Sequence, residues 1–291
     1  MKIGVGLPMK ALTRAELLAF VNRVEAGPFD SVSLGQRLTF ATNDPMVALT
    51  FVAAVTERIR LLTSVLCLPY HKEGVLAQQA ATLDRLSEGR FSFGLGLGGR
   101  PSDFAVAPEP WPRRGERFER QLIAMKRCWQ GLAPFDGTEP VGPPPYTPGG
   151  PEVIIGGMTP RALERAGRLA DGIRSFSFST DVAEHLERYA IALDAWRAAG
   201  RDGKPKLIAA THFALGPDAR EHYEAHVAKY YGYDQALVET AMAGDSPTSP
   251  ESILAPIDRF AGAGVDELVF TATTADNIDS LERLAEVVAS R

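Results

Sequence analysis
Residues able to do chemistry in this chain sit where apolar runs stop. Residues 91–97 form one such run, ending in Gly94, Gly96, Gly98 and Gly99 and followed by Arg100. Glycine accepts backbone angles closed to other residues and lets another group approach the main chain. Two readings of this tip stand: a ligand edge, or small residues fitted into a crowded barrel rim. Gly94, Gly96 and Gly99 also match the dinucleotide spacing G-x-G-x-x-G. Arg100-Pro101-Ser102-Asp103 comes next, and no helix is expected to open there, which argues against that fingerprint.

A second tip reads Ile154-Ile155-Gly156-Gly157-Met158-Thr159-Pro160-Arg161. Two glycines, a hydroxyl cap and a helix start offer free N–H groups and a helix dipole, which favour a phosphate. Arg161 can add a charge-assisted contact. Plain capping accounts for Thr159 and Pro160. The paired glycines, which a cap alone does not need, favour phosphate. His71, in a loop after another apolar run, either transfers protons near neutral pH or is merely solvated. His212 follows Thr211 and alternates with Phe213, so it faces either a barrel interior or the surrounding helices. Arg100, Arg113, Arg114 and Arg117 crowd one segment and suit either anionic ligand groups or a solvated helix face. His185, His222 and His226 fall on expected helices and are expected at the surface. No histidine pair has metal spacing, so a metal hydrolase is not expected. No nucleophile elbow occurs.

The elements that must position these tips alternate regularly. Strands are expected at 2–7, 29–35, 60–68, 91–97, 152–155, 172–176, 206–215 and 266–271. Helices are expected between them, the last over 275–289. Thr13 with Glu16 makes a capping box, and Asp44-Pro45 opens a helix with proline at its first position. Two stretches break the rhythm: 132–151, with seven prolines, and 232–252, irregular or partly helical. Both are expected to shape a substrate pocket. Eight strands alternating with helices, without hairpin signals, imply parallel βαβ units. Apolar strands fit a sheet buried on both faces. The expected fold is an α/β (β/α)8 TIM barrel, one domain over 1–291, with ligands at the C-terminal strand ends. An open doubly wound sheet is the alternative, but it needs a switch point that the order of elements does not offer.

Bulk properties narrow the function. The chain is 45% hydrophobic and 23% charged, with a net charge of -5. Neither nucleic acid nor an anionic membrane is an expected partner. Cys67 and Cys128 have no metal or redox spacing and read as buried thiols in a reducing compartment. The run 1–8 is too short for a signal peptide, and no run approaches a membrane span. A cytoplasmic protein is expected.

Taken in order, these motifs resemble the bacterial luciferase-like superfamily of flavin- and deazaflavin-dependent oxidoreductases. The resemblance covers nearly the whole chain. It rests on Ile3-Gly4-Val5-Gly6-Leu7-Pro8, Phe29-Asp30-Ser31, Thr63-Ser64-Val65, and Gln79 to Arg90 running into Gly94-Leu95-Gly96-Leu97-Gly98. Ile155-Gly156-Gly157 and Ala170-Asp171-Gly172 complete it. It implies a barrel holding reduced FMN or coenzyme F420 at its C-terminal mouth. A cis bond at Ser64-Val65 would bulge behind the ring, with Gly98, Gly99 and Arg100 beside it. Gly156, Gly157, Met158, Thr159 and Arg161 would take the cofactor phosphate. In deazaflavin-dependent sugar-phosphate dehydrogenases of this family an Asp-His pair follows the Phe-Asp-Ser strand. Gln36 and Arg37 stand here instead, which argues against that particular reaction. The overall pattern favours F420 over FMN, with hydride transfer to or from a small organic substrate. Gln36, Arg37 and His71 are the candidates to polarise or protonate it. The alternatives are an FMN-dependent monooxygenase served by a partner flavin reductase, and a non-catalytic flavin or ligand carrier. The family also implies a homodimer.

Overall fold
The computed structural model describes residues 1–273 and 277–291. In chain order the elements are β1 (Lys2–Gly6), α1 (Arg14–Ala26), β2 (Ser31–Leu34), α2 (Pro45–Val55), β3 (Arg60–Thr63), β4 (Leu66–Cys67), α3 (Glu73–Leu86) and β5 (Phe91–Gly96). Then come α4 (Pro101–Val106), α5 (Arg114–Trp129), β6 (Glu152–Gly156), α6 (Pro160–Leu169), β7 (Gly172–Phe176), α7 (Val182–Ala198) and β8 (Lys206–Phe213). The chain ends in α8 (Ala219–Tyr231), α9 (Gln235–Ala243), α10 (Pro250–Gly262), β9 (Glu267–Ala272) and α11 (Asn277–Ala289). The expected start of the last helix, at 275, lies outside the described residues.

All strand pairs are parallel, in the order β3-β2-β1-β9-β8-β7-β6-β5, and β5 pairs back onto β3 at Leu61↔Phe91 and Leu62↔Ser92. The sheet is therefore a closed barrel of eight staves among the described residues. β3 and β4 are two halves of one stave. The expected strand at 60–68 is interrupted at Ser64-Val65, where the peptide bond is cis, as the family resemblance implied. Local signals act where expected. The Thr13 main chain donates to Glu16 and Glu16 N–H donates back to Thr13 Oγ1, at 2.8 and 3.3 Å. Asp44 Oδ1 caps α2.

The barrel floor is polar. At the N-terminal strand ends Arg60 bridges Glu152 at 2.9 Å and also Glu267, while Ser31 donates to Glu267 and Ser92 to Glu152. Glu267 is buried, and a charge held out of water needs such partners. Above lies an apolar layer of Leu62, Ile154, Ile208, Ala210 and Val269. The larger core packs the outer strand faces against the helices, with Val5, Val32, Leu61, Phe93, Ile173 and Leu268 among its members.

Several expectations are corrected. A helix does open after the glycines of β5: Pro101 sits in the first turn of the six-residue α4. The dinucleotide fold is still absent, because β5 is a stave of a closed barrel. The segment 132–151 forms no strand or helix and does not line the cavity. It runs over the outside, where Asp84 accepts Thr147 N–H at 2.7 Å and Gly150 packs on Trp129. The segment 232–252 contains α9 and does reach the cavity, through Tyr233 and Leu237. His185 is fully buried rather than superficial. Its Nδ1 meets Ser175 Oγ at 2.8 Å, because α7 turns that face onto β7. His222 and His226 are half-buried.

Candidate functional site
A cavity of about 480 Å³ opens at the C-terminal strand ends, which is where a parallel barrel places its ligands and a usual size for a small-molecule site. Ser64 and Val65 form part of its lining. Val65 turns its methyls towards two glycines on neighbouring strands. A Cβ at Gly96 would lie 2.6 Å from Val65 Cγ2, and one at Gly156 would lie 2.8 Å from Cγ1. The two glycines make room for the bulge. At Gly157 a Cβ would meet that of Ala162 at 2.5 Å, so this position lets α6 close onto the strand tip. Packing therefore accounts for the glycine pair. Thr159 caps α6 without a side-chain hydrogen bond, which leaves the helix start open.

Gly98, Gly99, Arg100, Gly156, Gly157, Met158 and Thr159 all line the cavity, as does Gln36. Arg161 does not; it is exposed on α6. Gln36 is buried, and its Oε1 accepts from Cys67 N–H at 3.1 Å and meets His71 Nε2 at 3.1 Å. Both interactions orient the amide. His71 stands behind Gln36 and does not line the cavity; its pKa is lowered by burial. Arg37 also turns away. It pairs with buried Asp103 of α4 at 3.4 Å, and its guanidinium lies 5.1 Å from the Phe40 ring and 5.0 Å from that of Tyr230. Of the three residues expected to act on a substrate, only Gln36 reaches the cavity.

Other groups take their place. Arg174 of β7 and His212 of β8 line the cavity together with Tyr230, Tyr231 and Tyr233. His212 faces the interior, and its Nε2 meets Tyr231 Oη at 2.9 Å. The His226 ring lies 5.1 Å from it. Burial holds His212 well below the usual histidine range and raises the Tyr231 phenol well above its own. At neutral pH the imidazole is neutral and the phenol keeps its proton. Burial also lowers Arg174, to about 10, so it remains a cation at neutral pH. Arg100 lies 4.7 and 4.6 Å from the rings of Tyr230 and Tyr233, and Arg114 lies 3.8 Å from that of Trp111. Arg113 is spent on Glu116 instead. Among the described residues no carboxylate lines the cavity beside the three arginines 100, 114 and 174. Low-dielectric walls around charges of one sign concentrate an attractive field for anions.

The sequence alone missed Arg174 and Tyr231. Strand alternation could have found the first, since the outward-facing Ile173 and the Ser175 bonded to His185 put Arg174 inside. Nothing in the sequence brings α8 over the mouth. Among the described residues no three His, Cys, Asp or Glu side chains gather as a metal would require. No helix there is long and apolar enough to cross a membrane.

A closed parallel barrel with a cationic cavity at its mouth defines an α/β barrel with a candidate small-molecule site. The family model described as luciferase-like monooxygenase matches residues 1–291, and the chain belongs to that family. An uncharacterised protein of Mycobacterium tuberculosis is 35% identical over 175 residues, covering 58% of this chain and 61% of the relative. The F420-dependent glucose-6-phosphate dehydrogenase of Beutenbergia cavernae is 31% identical over 188 residues, covering 59% and 55%. These matches span about three fifths of the relatives' own length. Among solved structures, an F420-dependent secondary alcohol dehydrogenase superposes with a TM-score of 0.80 at 18% identity, covering 99% of this chain and 98% of the other. The EDTA monooxygenase of a Chelativorans species does so with 0.76 at 16%, covering 100% and 93%. Both share the fold.

Proposed function
We propose that this chain is an F420-dependent oxidoreductase that transfers a hydride to or from a small organic substrate in the barrel mouth. The observation that carries this reading is the Val65 side chain, seated against Gly96 and Gly156 beneath a cavity whose lining includes Arg100 and Arg114 and, among the described residues, no carboxylate. An apolar step with cations around it suits a flat ring bearing an anionic tail. The residues present fit such a group: Val65 would back the ring, while the α6 start with Gly157, Met158 and Thr159 would take phosphate. Arg161 is too exposed to be central. When bound, the deazaflavin supplies the hydride chemistry. The chain's own residues orient the substrate and exclude water. Gln36, its carbonyl oxygen already engaged, turns its amide donors to a substrate oxygen. His71 fixes Gln36, and Arg37 ties the loop after β2 to α4.

The relative named as an F420-dependent dehydrogenase supports the choice of deazaflavin. The family's description supports a second reading, an FMN-dependent monooxygenase fed by a separate reductase. Parallel equilibrium titrations with F420 and FMN, followed by fluorescence, separate the two. Selective F420 binding is expected. Selective FMN binding, with oxygen uptake coupled to product hydroxylation, would favour the monooxygenase, and failure of both to bind would end either reading. We also infer a homodimer, for which light scattering should give about twice the chain mass of 31.4 kDa. The two buried, unpaired cysteines support a cytoplasmic location.

A further inference from the structure
Cofactor phosphate at the α6 start leaves Arg174 unexplained. Ile173 belongs to the outer core and Ser175 bonds His185, so Arg174 and Phe176 are the inward residues of β7. Arg174 sits in register with Gly156, beside the Val65 step. Among the described residues it makes no ion pair, and its Nε has no hydrogen-bond partner. Arg174 is half-buried at the cavity wall, and a cation in such a wall without a counter-charge favours an anionic ligand. Its neighbours offer none. Tyr230 and Tyr231 are the groups whose charges it would feel, and burial holds the Tyr231 phenol in its neutral form. The Tyr231 hydroxyl can donate, since His212 Nε2 can in turn donate to the phenol oxygen. Phe176 lies 5.0 Å from both the His212 and Phe178 rings, ring centre to ring centre, and these aromatic faces border the same space. The arrangement is a pair of donors, one of them charged, next to an apolar aromatic wall. A carboxylate accepts from a guanidinium fork and a hydroxyl together.

We propose that this cavity holds a carboxylate subsite, formed by Arg174 and the Tyr231 hydroxyl backed by His212, and that the substrate is a small organic acid whose apolar body packs on Phe176 and Phe178. The substrate assignment rests on the oxidoreductase reading; the subsite does not. The subsite is separate from the cofactor phosphate position at α6.

The test titrates the full chain, with and without F420, with benzoate and with benzamide, its uncharged analogue, read by saturation-transfer NMR of the probe. Benzoate should bind about tenfold tighter than benzamide in both states. Arg174→Met should abolish that preference, Arg174→Lys should keep part of it, and Tyr231→Phe should weaken benzoate alone. F420 affinity, read by fluorescence, should stay within about threefold in all three variants if the two positions are independent. Equal binding of the two probes by the unaltered protein, or binding of neither, overturns the subsite, and this holds even if Arg174→Met fails to fold. A preference that survives in Arg174→Met overturns it too. Parallel loss of F420 and benzoate in the methionine and lysine variants would assign the guanidinium to the cofactor instead. A benzoate preference without any cofactor binding would leave the subsite standing and end the oxidoreductase reading. Cofactor binding without the preference would do the reverse.

Discussion

At the scale of single residues, the site depends on how little room Val65 leaves. Val65 occupies space that Gly96 and Gly156 lack atoms to fill. Gly156→Ala should therefore destabilise the fold by about 1–3 kcal/mol through overpacking. Val65→Ala in the same chain should restore most of it, because the clash is pairwise. Urea unfolding of both single variants and the double variant checks this; additive losses would mean that the two sites are uncoupled. Gln36 and His71 separate differently. Gln36 faces the cavity and His71 only orients it. His71→Ala should lower turnover by about tenfold or less with F420 affinity intact, whereas Gln36→Leu should cost about a hundredfold. Turnover with an accepted substrate, alongside cofactor titration, distinguishes them. A larger loss from His71→Ala would return that histidine to the chemistry.

At the scale of elements, the two ends of the strands do different work. The N-terminal ends carry buried Glu267 with half-buried Arg60 and Glu152, at the barrel end opposite the mouth. Removing the shared cation leaves buried Glu267 with Ser31 alone, while Glu152 keeps Lys206, so Arg60→Met should cost about 3–5 kcal/mol of stability. F420 affinity should barely change, since barrel function sits at the other end. Thermal denaturation and cofactor titration of the same sample measure both, and loss of affinity in a folded variant would contradict the division. The C-terminal ends share the mouth with helices that come after the strands. α4 supplies Asp103 to Arg37, while α8 and α9 bring Tyr230, Tyr231 and Leu237 over the opening.

At the scale of the whole molecule, burial of uncharged histidines couples folding to pH. Burial lowers His185 and His226 to about 4, from an ordinary 6.5, and holds His212 well below its usual range too. The unfolded chain therefore takes up protons first as pH falls below about 6.5, and stability declines until the folded histidines titrate as well. His185 alone should contribute on the order of 2 kcal/mol of that loss between about pH 6.5 and 5. Urea unfolding at the two pH values should show the decline, and His185→Asn should flatten it. An unchanged slope in that variant would mean that His185 is not held neutral in the fold.

The alternation of strands and helices that implies a barrel, and the caps of α1 and α2, were legible in the chain because alternation and capping are local properties, whereas the short α4 was missed. The family motifs were legible for the same reason, each being a short contiguous run. Proximity between distant segments was not. The glycine pair 156–157 reads as a phosphate cradle in the chain, and nothing there announces that Val65 and Ala162 also pack against it. Arg37 looked like a rim residue until α4 placed Asp103 beside it. His185 looked superficial because nothing in its own helix announces Ser175 behind it. The cationic lining joins Arg100, Arg114 and Arg174 from three separate elements. Only the closure of the barrel, which turns alternate residues of each strand inward and brings sequence-distant tips to one mouth, decides which charges meet there.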